Sequence, residues 1–278
     1  MRTVFVGDVH GCLDELRELM AKLGLVRGDT LVFVGDLIDR GPDPVGVVRY
    51  VREMSALDFV TKVNKGNHEE KALRWLRHED KIAAGKQTKN PMKPVPDVRM
   101  AEWRALNAED RAFLQALPLV HEFDVGGQPW VSVHGGLLPG RPLADQVRKH
   151  PDELIRCRWV NEAGQHVGML EGSREMPPGA APWMERFDGQ FNVVCGHAVH
   201  REAEIKAQVR AGAPSPGFPP RVDKTTAGFE VWSIDTGCFG GGRLTALVLD
   251  HDRPDAREVV QVQARAAYFD FKGDSEGS

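Results

Sequence analysis

Short apolar runs alternate with helical patterns in the first part of the chain. The runs lie at 3–6, 31–34 and 59–63. Between the first two runs, leucines recur at the spacing of one helical face: Leu13, Leu16, Leu19 and Leu23. After the second run, Asp43 and Pro44 have the composition of a helix N-terminus. This order predicts a β-α-β-α-β unit with parallel strands.

The pattern changes toward strands in the second half of the chain. A helix is predicted over about 69–84, and Asn107 with Asp110 has the spacing of a capping pair that opens a helix ending at Leu117. Further strand-like runs lie at 129–133, 191–195, 229–234, 244–249 and 259–262. Because we find no internal repeat and no convincing linker, we expect one α/β domain over residues 1–270. We expect the polar tail, 271–278, to be disordered.

Composition and charge narrow the classes of protein that fit. The chain has 278 residues, of which 41% are hydrophobic and 27% charged, and its formal net charge is −4. These values are typical of a globular protein and give no reason to expect nucleic acid as a partner. The four cysteines lack C-x-x-C spacing, which argues against a zinc knuckle or a redox pair. Since no signal sequence or membrane-length apolar run is evident, we expect a cytoplasmic protein without a membrane partner; its oligomeric state is not readable.

Five short polar clusters follow strand-like runs. They are Gly-Asp-Val-His-Gly at 7–11, Gly-Asp-Leu-Ile-Asp-Arg-Gly at 35–41, Gly-Asn-His-Glu at 66–69, His-Gly-Gly at 134–136 and Gly-His at 196–197. In an open α/β sheet such positions converge beyond the carboxyl ends of the strands. Their side chains are ligand types for divalent cations: Asp8, His10, Asp36, Asn67, His134 and His197. Each cluster alone is more often a turn, but the five in this order favour a site for two metal ions, with Asp36 as the candidate bridge.

Asp39 and His68 form a second kind of pair. A histidine oriented by a carboxylate is suited to act as a general acid. Arg40 follows Asp39 and offers a planar guanidinium for phosphate oxygens. Surface or core roles fit the histidines outside the clusters better: His78, His121, His150, His166 and His251. The role of His200 is left open.

The combined motifs resemble the calcineurin-like metallophosphoesterases over roughly residues 3–250, specifically the branch that holds phosphoprotein phosphatases and bacterial symmetrical diadenosine tetraphosphatases. The resemblance implies a four-layer α/β/β/α sandwich with a dinuclear metal site at the carboxyl ends of the strands. One metal would be held by Asp8, His10 and Asp36, and the other by Asp36, Asn67, His134 and His197. It also implies that His68 is the general acid, that Asp39 assists it, and that Arg40 binds phosphate.

Further segments resemble the diadenosine tetraphosphatases within this branch. These are Arg156-Cys-Arg158-Trp159 followed by Gly164-Gln165, Pro182-Trp183, and the segment Ile-Asp-Thr-Gly-Cys-Phe-Gly-Gly-Gly-Arg-Leu-Thr at 234–245. The resemblance implies that Arg158, and more weakly Arg156, bind phosphate, as would Asn67. Asp39 and Glu69 instead have the protein-phosphatase form. The lysines within 81–94 form either a solvated loop or a cationic overhang of the site.

These observations lead to one expected activity and two alternatives. We expect symmetrical hydrolysis of diadenosine tetraphosphate and related dinucleoside polyphosphates to two ADP, by water activated at two divalent metals with a histidine acid. The alternative is a Ser/Thr or Tyr phosphoprotein phosphatase, and both activities can coexist. A non-catalytic phosphate-binding module fits least, because every expected ligand is present. The resemblance favours manganese for activity in vitro, while Co, Ni, Fe and Zn remain open.

Overall fold

The structure is a computed structural model that describes residues 1–55, 57–90, 95–170, 175–212 and 218–269. Its helices are α1 (Leu13–Leu23), α2 (Pro44–Met54), α3 (Asn67–Ala83), α4 (Asp97–Arg104), α5 (Ala108–Ala116), α6 (Leu143–Lys149), α7 (Pro151–Arg156), α8 (Trp183–Arg186) and α9 (Glu202–Arg210). Its strands are β1 (Arg2–Val6), β2 (Thr30–Phe33), β3 (Val60–Val63), β4 (Val120–Val125), β5 (Gln128–Val133), β6 (Trp159–Val160), β7 (His166–Val167), β8 (Ala181–Pro182), β9 (Asn192–Cys195), β10 (Arg221–Lys224), β11 (Glu230–Ser233), β12 (Arg243–Asp250) and β13 (Arg253–Gln263). Among these helices none is long and apolar enough to cross a membrane.

The first sheet contains the N-terminal strands, in the order β13-β12-β1-β2-β3. β1, β2 and β3 are parallel, and Phe33 at the end of β2 lies opposite Val6 and Val63. β12 pairs with β1 in the antiparallel direction. The predicted β-α-β-α-β unit is confirmed, with α1 and α2 as its connections. The carboxyl ends of three parallel strands therefore lie side by side.

The second sheet also contains three adjacent parallel strands, in the order β10-β11-β9-β5-β4. β5, β9 and β11 are parallel, and the edge strands β4 and β10 are antiparallel to their neighbours. A small third sheet has the order β7-β6-β8. The second large sheet thus provides three more adjacent carboxyl ends.

Three hydrophobic clusters separate four layers. Along β1, Val4 packs in a cluster with Leu16 of α1, whereas Phe5 points the other way and packs against Trp130 of the second sheet. The outer face of the second sheet packs on α7 and α8 through residues such as Val193. Because successive strand residues point to opposite faces, one strand serves two clusters. The α/β fold class and the four-layer sandwich are confirmed.

Helix ends match the capping signals. The Asp43 side chain accepts a hydrogen bond of 2.8 Å from Gly46 N, with Pro44 at the first helical position. Asn107 and Asp110 cap each other's backbone N–H groups at 2.8 and 3.1 Å. The helix predicted over about 69–84 begins two residues earlier, at Asn67. Hence Asn67 lies in the first helical turn, with its side chain near the end of β3.

Other elements differ from the sequence expectations. The strands β4, β6 to β8 and β10 were not predicted, nor were α4 and α6 to α9, because they are short or lack a clear apolar stripe. The run predicted at 259–262 is the end of a longer strand, β13. The segment 81–94 that contains the lysines starts inside α3, and its residues 91–94 lie outside the described ranges, as does the tail 271–278.

Candidate functional site

All six predicted ligand residues lie just beyond the carboxyl ends of parallel strands from both large sheets. Asp8 and His10 follow β1, Asp36 follows β2, Asn67 follows β3, His134 follows β5 and His197 follows β9. Five of them are buried, and Asn67 is partly exposed. The fold therefore brings together six polar side chains that are up to 189 positions apart in sequence, as in the contact of Asp8 with His197.

Asp36 is shared by two groups of side chains. Ligand atoms of His10, Asp36 and His68 lie within 4.8 Å of one another, and so do those of Asp36, His134 and His197. Oδ2 of Asp36 is 3.2 Å from Nε2 of His134 and 3.5 Å from Nε2 of His10. This is the placement expected of a carboxylate between two cations. Asp36 is thus the side chain that the two groups have in common.

Backbone carbonyls orient two of these imidazoles. Nδ1 of His10 lies 2.9 Å from the carbonyl oxygen of Ile38, and Nδ1 of His134 lies 3.1 Å from that of Val34. When Nδ1 carries the proton and donates it to a carbonyl, Nε2 keeps its lone pair. In both residues Nε2 is the atom that faces Asp36. The geometry therefore presents two nitrogen donors to the same region.

Two buried carboxylate oxygens at the site have no hydrogen-bond partner. Oδ2 of Asp8 accepts the backbone N–H of His197 at 2.9 Å, but its Oδ1 is unpaired. Oδ2 of Asp235, directly after β11, is also buried and unpaired. Burial, and then the charges of Asp235 and Asp36, raise the pKa of the Asp8 carboxyl. Buried anions of this kind need a cation as a partner.

The site also contains unusual backbone geometry. Within the described residues, six non-glycine residues have positive φ, and five belong to this site: His10, Asp36, Asp39, Arg40 and His197. Such residues cost about 1 to 3 kcal/mol each and persist where the surrounding structure holds them. Glycine is required beside these residues for a different reason, which is lack of space for a side chain. A Cβ at Gly196 would lie 1.9 Å from Oδ1 of Asp8, so only glycine fits beside this carboxylate.

Asp39 and His68 form the predicted pair. Oδ2 of Asp39 is 2.6 Å from Nδ1 of His68. Its Oδ1 accepts a 2.7 Å hydrogen bond from Nε1 of Trp103, and Arg99 Nε lies 3.9 Å from Oδ2. Burial favours the neutral acid, but the bond and charge of His68, the charge of Arg99 and the Trp103 bond outweigh it and lower the pKa of the Asp39 carboxyl. The carboxylate form holds the imidazole with Nε2 turned toward Asp36, 3.9 Å from its Oδ2.

The three candidate arginines lie in different surroundings. Arg40 Nη1 is 2.9 Å from Nε2 of His10, and its guanidinium lies 4.3 Å above the ring of Phe239. Arg158 donates to Nε2 and to the carbonyl oxygen of His197 at 3.1 and 3.2 Å. Arg156 instead forms ion pairs with Glu70 at 2.7 Å and Asp152 at 3.1 Å. The structure thus brings Arg40 and Arg158 to the site and turns the guanidinium of Arg156 toward α3 and α7.

Glu69 binds the backbone of the loops at the site. Its carboxylate accepts backbone N–H groups of Asp36, Leu37, Ile38 and Gly66 at 3.0, 2.8, 3.3 and 2.8 Å. Burial and then the charge of Asp36 raise the pKa of Glu69 to about 7. Since the residue is fully buried, it contacts the loops that carry the ligands and has no access to a substrate.

Comparisons with known proteins agree with this geometry. The calcineurin-like phosphoesterase family model matches residues 1–201. The chain belongs to the calcineurin-like phosphoesterase family. Its similar relatives include the symmetrical bis(5'-nucleosyl)-tetraphosphatase of Yersinia enterocolitica, at 25% identity over 97% of this chain and 96% of the relative. The enzyme of the same name from Yersinia pestis is 25% identical over 95% and 94% of the two chains.

Solved structures show the same fold. The crystal structure of a protein provisionally named as a diadenosine tetraphosphatase is similar with a TM-score of 0.65, at 24% identity over 95% of this chain and 93% of the other. Hypothetical protein PH1004 from Pyrococcus horikoshii OT3 is similar with a TM-score of 0.53, at 14% identity over 98% and 89%. Family and fold together identify this member as a metal-dependent phosphohydrolase.

The donor set suits the divalent metals on which this family depends. Mixed carboxylate, imidazole and amide donors fit Mn, Fe, Zn, Co or Ni, and the chain offers all three types around Asp36. The unpaired oxygens of Asp8 and Asp235 are the clearest sign that a cation belongs here.

Sequence reasoning missed several residues of the site. Asp235 follows the apolar run 229–234, as Asp8 and Asp36 follow theirs, but Ile234 stands where those two aspartates have a glycine before them. Trp103 and Arg99 lie on α4, which was not predicted. The other histidines lie elsewhere: His121 Nε2 is 3.2 Å from the carbonyl oxygen of Val63, and His251 Nε2 is 2.9 Å from the hydroxyl of Thr3.

Proposed function

We propose that this phosphohydrolase cleaves diadenosine tetraphosphate symmetrically to two ADP, and accepts related dinucleoside polyphosphates. The names of the relatives aligned over nearly the whole chain support this substrate. The observation that carries the chemistry is the position of Asp36 in both groups of ligand atoms. A phosphoanhydride between two nucleotides carries the negative charge that such a site neutralises.

In the proposed assignment, Asp8, His10 and Asp36 hold one divalent ion. Asp36, Asn67, His134 and His197 hold the other, and Mn²⁺ is the ion expected to support activity in vitro. When bound, the two ions supply an activated water and neutralise charge on the phosphoryl oxygens. The remaining tasks fall to side chains of the chain itself: orienting the phosphates and delivering a proton.

Proton delivery is assigned to His68. Its Nε2 faces the ligand cluster, while Nδ1 is held by Asp39 at 2.6 Å. As the water oxygen bonds to one central phosphorus, the bond from that phosphorus to the bridging oxygen breaks. The bridging oxygen leaves on the other ADP and takes the proton from Nε2. Asp39 contacts Nδ1 and so fixes the orientation of the imidazole during the transfer.

Phosphate orientation is assigned to Arg40 and Arg158. Arg40 stacks on Phe239 next to His10, and Arg158 contacts His197 on the opposite metal group. The two guanidiniums therefore lie beside different ligand groups and would contact different phosphates of a chain that crosses the site. Arg156, paired with Glu70, would position the start of α3 rather than contact the substrate.

The alternative activity, hydrolysis of phosphoproteins, has one specific observation in its favour. A serine alkoxide is a much poorer leaving group than the phosphate of ADP, so it depends more on a proton donor. The Asp39–His68 pair, fully formed with Trp103 behind it, provides such a donor. The two activities share the same metal chemistry and differ in how the substrate is bound.

Product analysis tests the proposal. Purified protein with added Mn²⁺ is given diadenosine tetraphosphate, a phosphopeptide and an aryl phosphate, and kcat/KM is compared. We expect ADP as the sole nucleotide product and a kcat/KM far above that of the two monoesters. Products of AMP and ATP would overturn the symmetrical assignment, and efficient turnover of the phosphopeptide without ADP release would favour the alternative. Asp36→Asn and chelator-treated protein are the inactive controls.

A further inference from the structure

A cavity of about 520 Å³ opens beside His197. Its inner end is formed by the backbone at Gly196 and by Arg158, the residue that contacts His197. One wall comes from the small third sheet, where Trp159 of β6 lies opposite Pro182 of β8. The N-terminal end of α9 contributes the facing wall. Volumes of this size are typical of small-molecule sites.

Cationic side chains outnumber acidic ones in the lining. Four cationic side chains line the cavity, Arg158, Arg201, Lys206 and Arg221, against two acidic ones, Glu175 and Glu202. Burial, and then the charges of Arg201 and Arg221, lower the pKa of His200 in the same lining. This local field contrasts with the net charge of −4 for the whole chain. An anionic ligand is therefore favoured in this cavity specifically.

Two of these cations mark a path for a ligand, because Arg158 lies at the inner end of the cavity and Arg201 at the start of α9. Arg221 forms ion pairs with Asp223 and Glu185 at 2.7 Å each, and Lys206 pairs with Glu202 at 2.5 Å. Arg201 has a φ of 58° at the start of α9, and its guanidinium lies 5.1 Å from the ring centroid of Phe218. Its aromatic contact and backbone geometry hold an exposed guanidinium at the cavity.

The apolar part of the lining lies next to these charges. Trp159 is partly exposed, while Trp183 is buried and donates its backbone N–H to the carbonyl oxygen of Arg158 at 3.1 Å. The backbone bond to Trp183 therefore fixes Arg158, and the adjacent Trp159 side chain contributes to the cavity lining. An indole face beside guanidinium groups can stack a nucleobase while the cations bind its phosphates.

We propose that this cavity binds one nucleoside-diphosphate half of the dinucleotide, with the phosphates passing Arg158 toward Arg201 and the base against Trp159. The inference rests on the proposed function and extends it, because it assigns the nucleotide specificity to residues outside the metal site. The cavity adjoins only one of the two ligand groups, through His197. The cavity therefore binds one half of the substrate, and the phosphoanhydride that is cleaved lies at Asp36.

The test measures competitive inhibition of aryl phosphate hydrolysis by ADP, pyrophosphate and inorganic phosphate in the Mn²⁺-loaded protein. Arg201→Gln and Trp159→Leu are the variants. Arg210→Gln is the matched control, because it removes an exposed arginine at the end of the same helix, outside the cavity lining. Thermal unfolding of each variant checks that it is folded. For each variant, the inhibition constants of ADP and pyrophosphate are divided by that of inorganic phosphate. A change in the catalytic site would alter all three constants, so these ratios isolate the effect of the cavity.

In the wild type, ADP should inhibit at least about tenfold more strongly than phosphate. Arg201→Gln should raise the inhibition constants of ADP and pyrophosphate about tenfold relative to phosphate, the usual loss of a charge-assisted contact. Trp159→Leu should raise that of ADP about fivefold without raising that of pyrophosphate. The proposal would be overturned if a variant raised the inhibition constants of all three inhibitors equally. It would also be overturned if the ratios in Arg210→Gln were the same as in Arg201→Gln.

This test separates the cavity from the reaction. If the wild type fails to hydrolyse diadenosine tetraphosphate but ADP inhibition depends on Arg201 and Trp159 as described, the proposed substrate is wrong and the nucleotide site stands. If the dinucleotide is cleaved to ADP while the ratios do not change, the reaction stands and the nucleotide is bound elsewhere.

Discussion

The indole N–H of Trp103 donates a hydrogen bond of 2.7 Å to Oδ1 of Asp39. Because Oδ2 of the same carboxylate lies 2.6 Å from His68, both oxygens of Asp39 have partners from different helices, α4 and α3. The carboxylate cannot rotate without losing one of them. Trp103 is therefore a positioning residue that acts, through Asp39, on the histidine proposed as the proton donor.

Replacing Trp103 with phenylalanine should lower kcat for an aryl phosphate about fivefold, with KM little changed. The reason is the loss of one hydrogen bond to Asp39, worth about 1 kcal/mol. Trp75→Phe is the matched control, since Trp75 is buried and packs against Trp103 with ring centroids 5.4 Å apart. Equal losses of kcat in both variants would show that packing, and not the hydrogen bond, is responsible.

The His68→Asn variant should lose about 10²- to 10⁴-fold in kcat while keeping its metal. Asparagine retains a polar side chain but cannot deliver a proton to the leaving oxygen. Steady-state kinetics and elemental analysis of the purified protein give the two readouts. His121→Asn, which alters a histidine bonded to the carbonyl oxygen of Val63, serves as the control. If the His68 variant contained no metal, its role would be that of a ligand and not of an acid.

Gly196→Ala should reduce metal content and activity together, by at least about tenfold in metal affinity. Its Cβ would lie 1.9 Å from Oδ1 of Asp8, so the carboxylate would have to move. At Gly168, by contrast, a Cβ would meet nothing within 4 Å, and Gly168→Ala is the control. Titration of the metal-free variants with Mn²⁺ measures the effect. Wild-type affinity in Gly196→Ala would mean that Asp8 is not a ligand.

A fourth prediction concerns stability far from the site. Asp29 is buried and accepts hydrogen bonds from Arg2 Nε and Nη2 at 3.1 and 2.6 Å and from the backbone N–H groups of Arg2 and Val26. Burial alone would raise the pKa of Asp29, but these bonds and the charge of Arg2 lower it. Asp29→Asn should therefore lower the free energy of unfolding at neutral pH by about 1 to 2 kcal/mol.

The pH dependence of this loss has a definite sign. Because the pKa of Asp29 is lower in the folded state, its contribution is complete above the unfolded-state value of about 3.9 and disappears as the pH falls through the folded-state value. Thermal unfolding from pH 7 to pH 3 should thus show the wild type and Asp29→Asn converging. Asp58→Asn is the control, because this exposed side chain should contribute little to the free energy of unfolding. If the difference in stability between the wild type and Asp29→Asn stayed constant at every pH, the ionised Asp29 carboxylate would not be its origin.

The parallel strands and the candidate ligands at their ends could be predicted from sequence because both signals are local. An apolar run followed by Gly-Asp or Gly-Asn-His marks a strand and its polar end within ten residues. Asp235 follows an apolar run after β11 but lacks the preceding glycine, so it carries only part of this signal.

The surroundings of those ligands could not be predicted, because they depend on distant contacts. The direction of Arg156 is set by Glu70, 86 positions earlier, and the partner of Asp39 lies on a helix with no clear apolar stripe. Glu69 was interpreted as a hint of substrate preference. In the structure it holds four backbone N–H groups, a role that requires the folded positions of two loops.

The contact between Arg40 and Phe239 sets a lower limit on the length of a working fragment. The family match ends at residue 201, which suggests a convenient place to shorten the gene. A deletion there would remove Asp235, Phe239 and the strand β12 that pairs with β1. Even a cut after β13 would remove Tyr268 and Phe269, whose N–H groups bond to the carbonyl oxygen of Phe239. Deletion mapping and affinity tags should therefore leave the chain intact through residue 269.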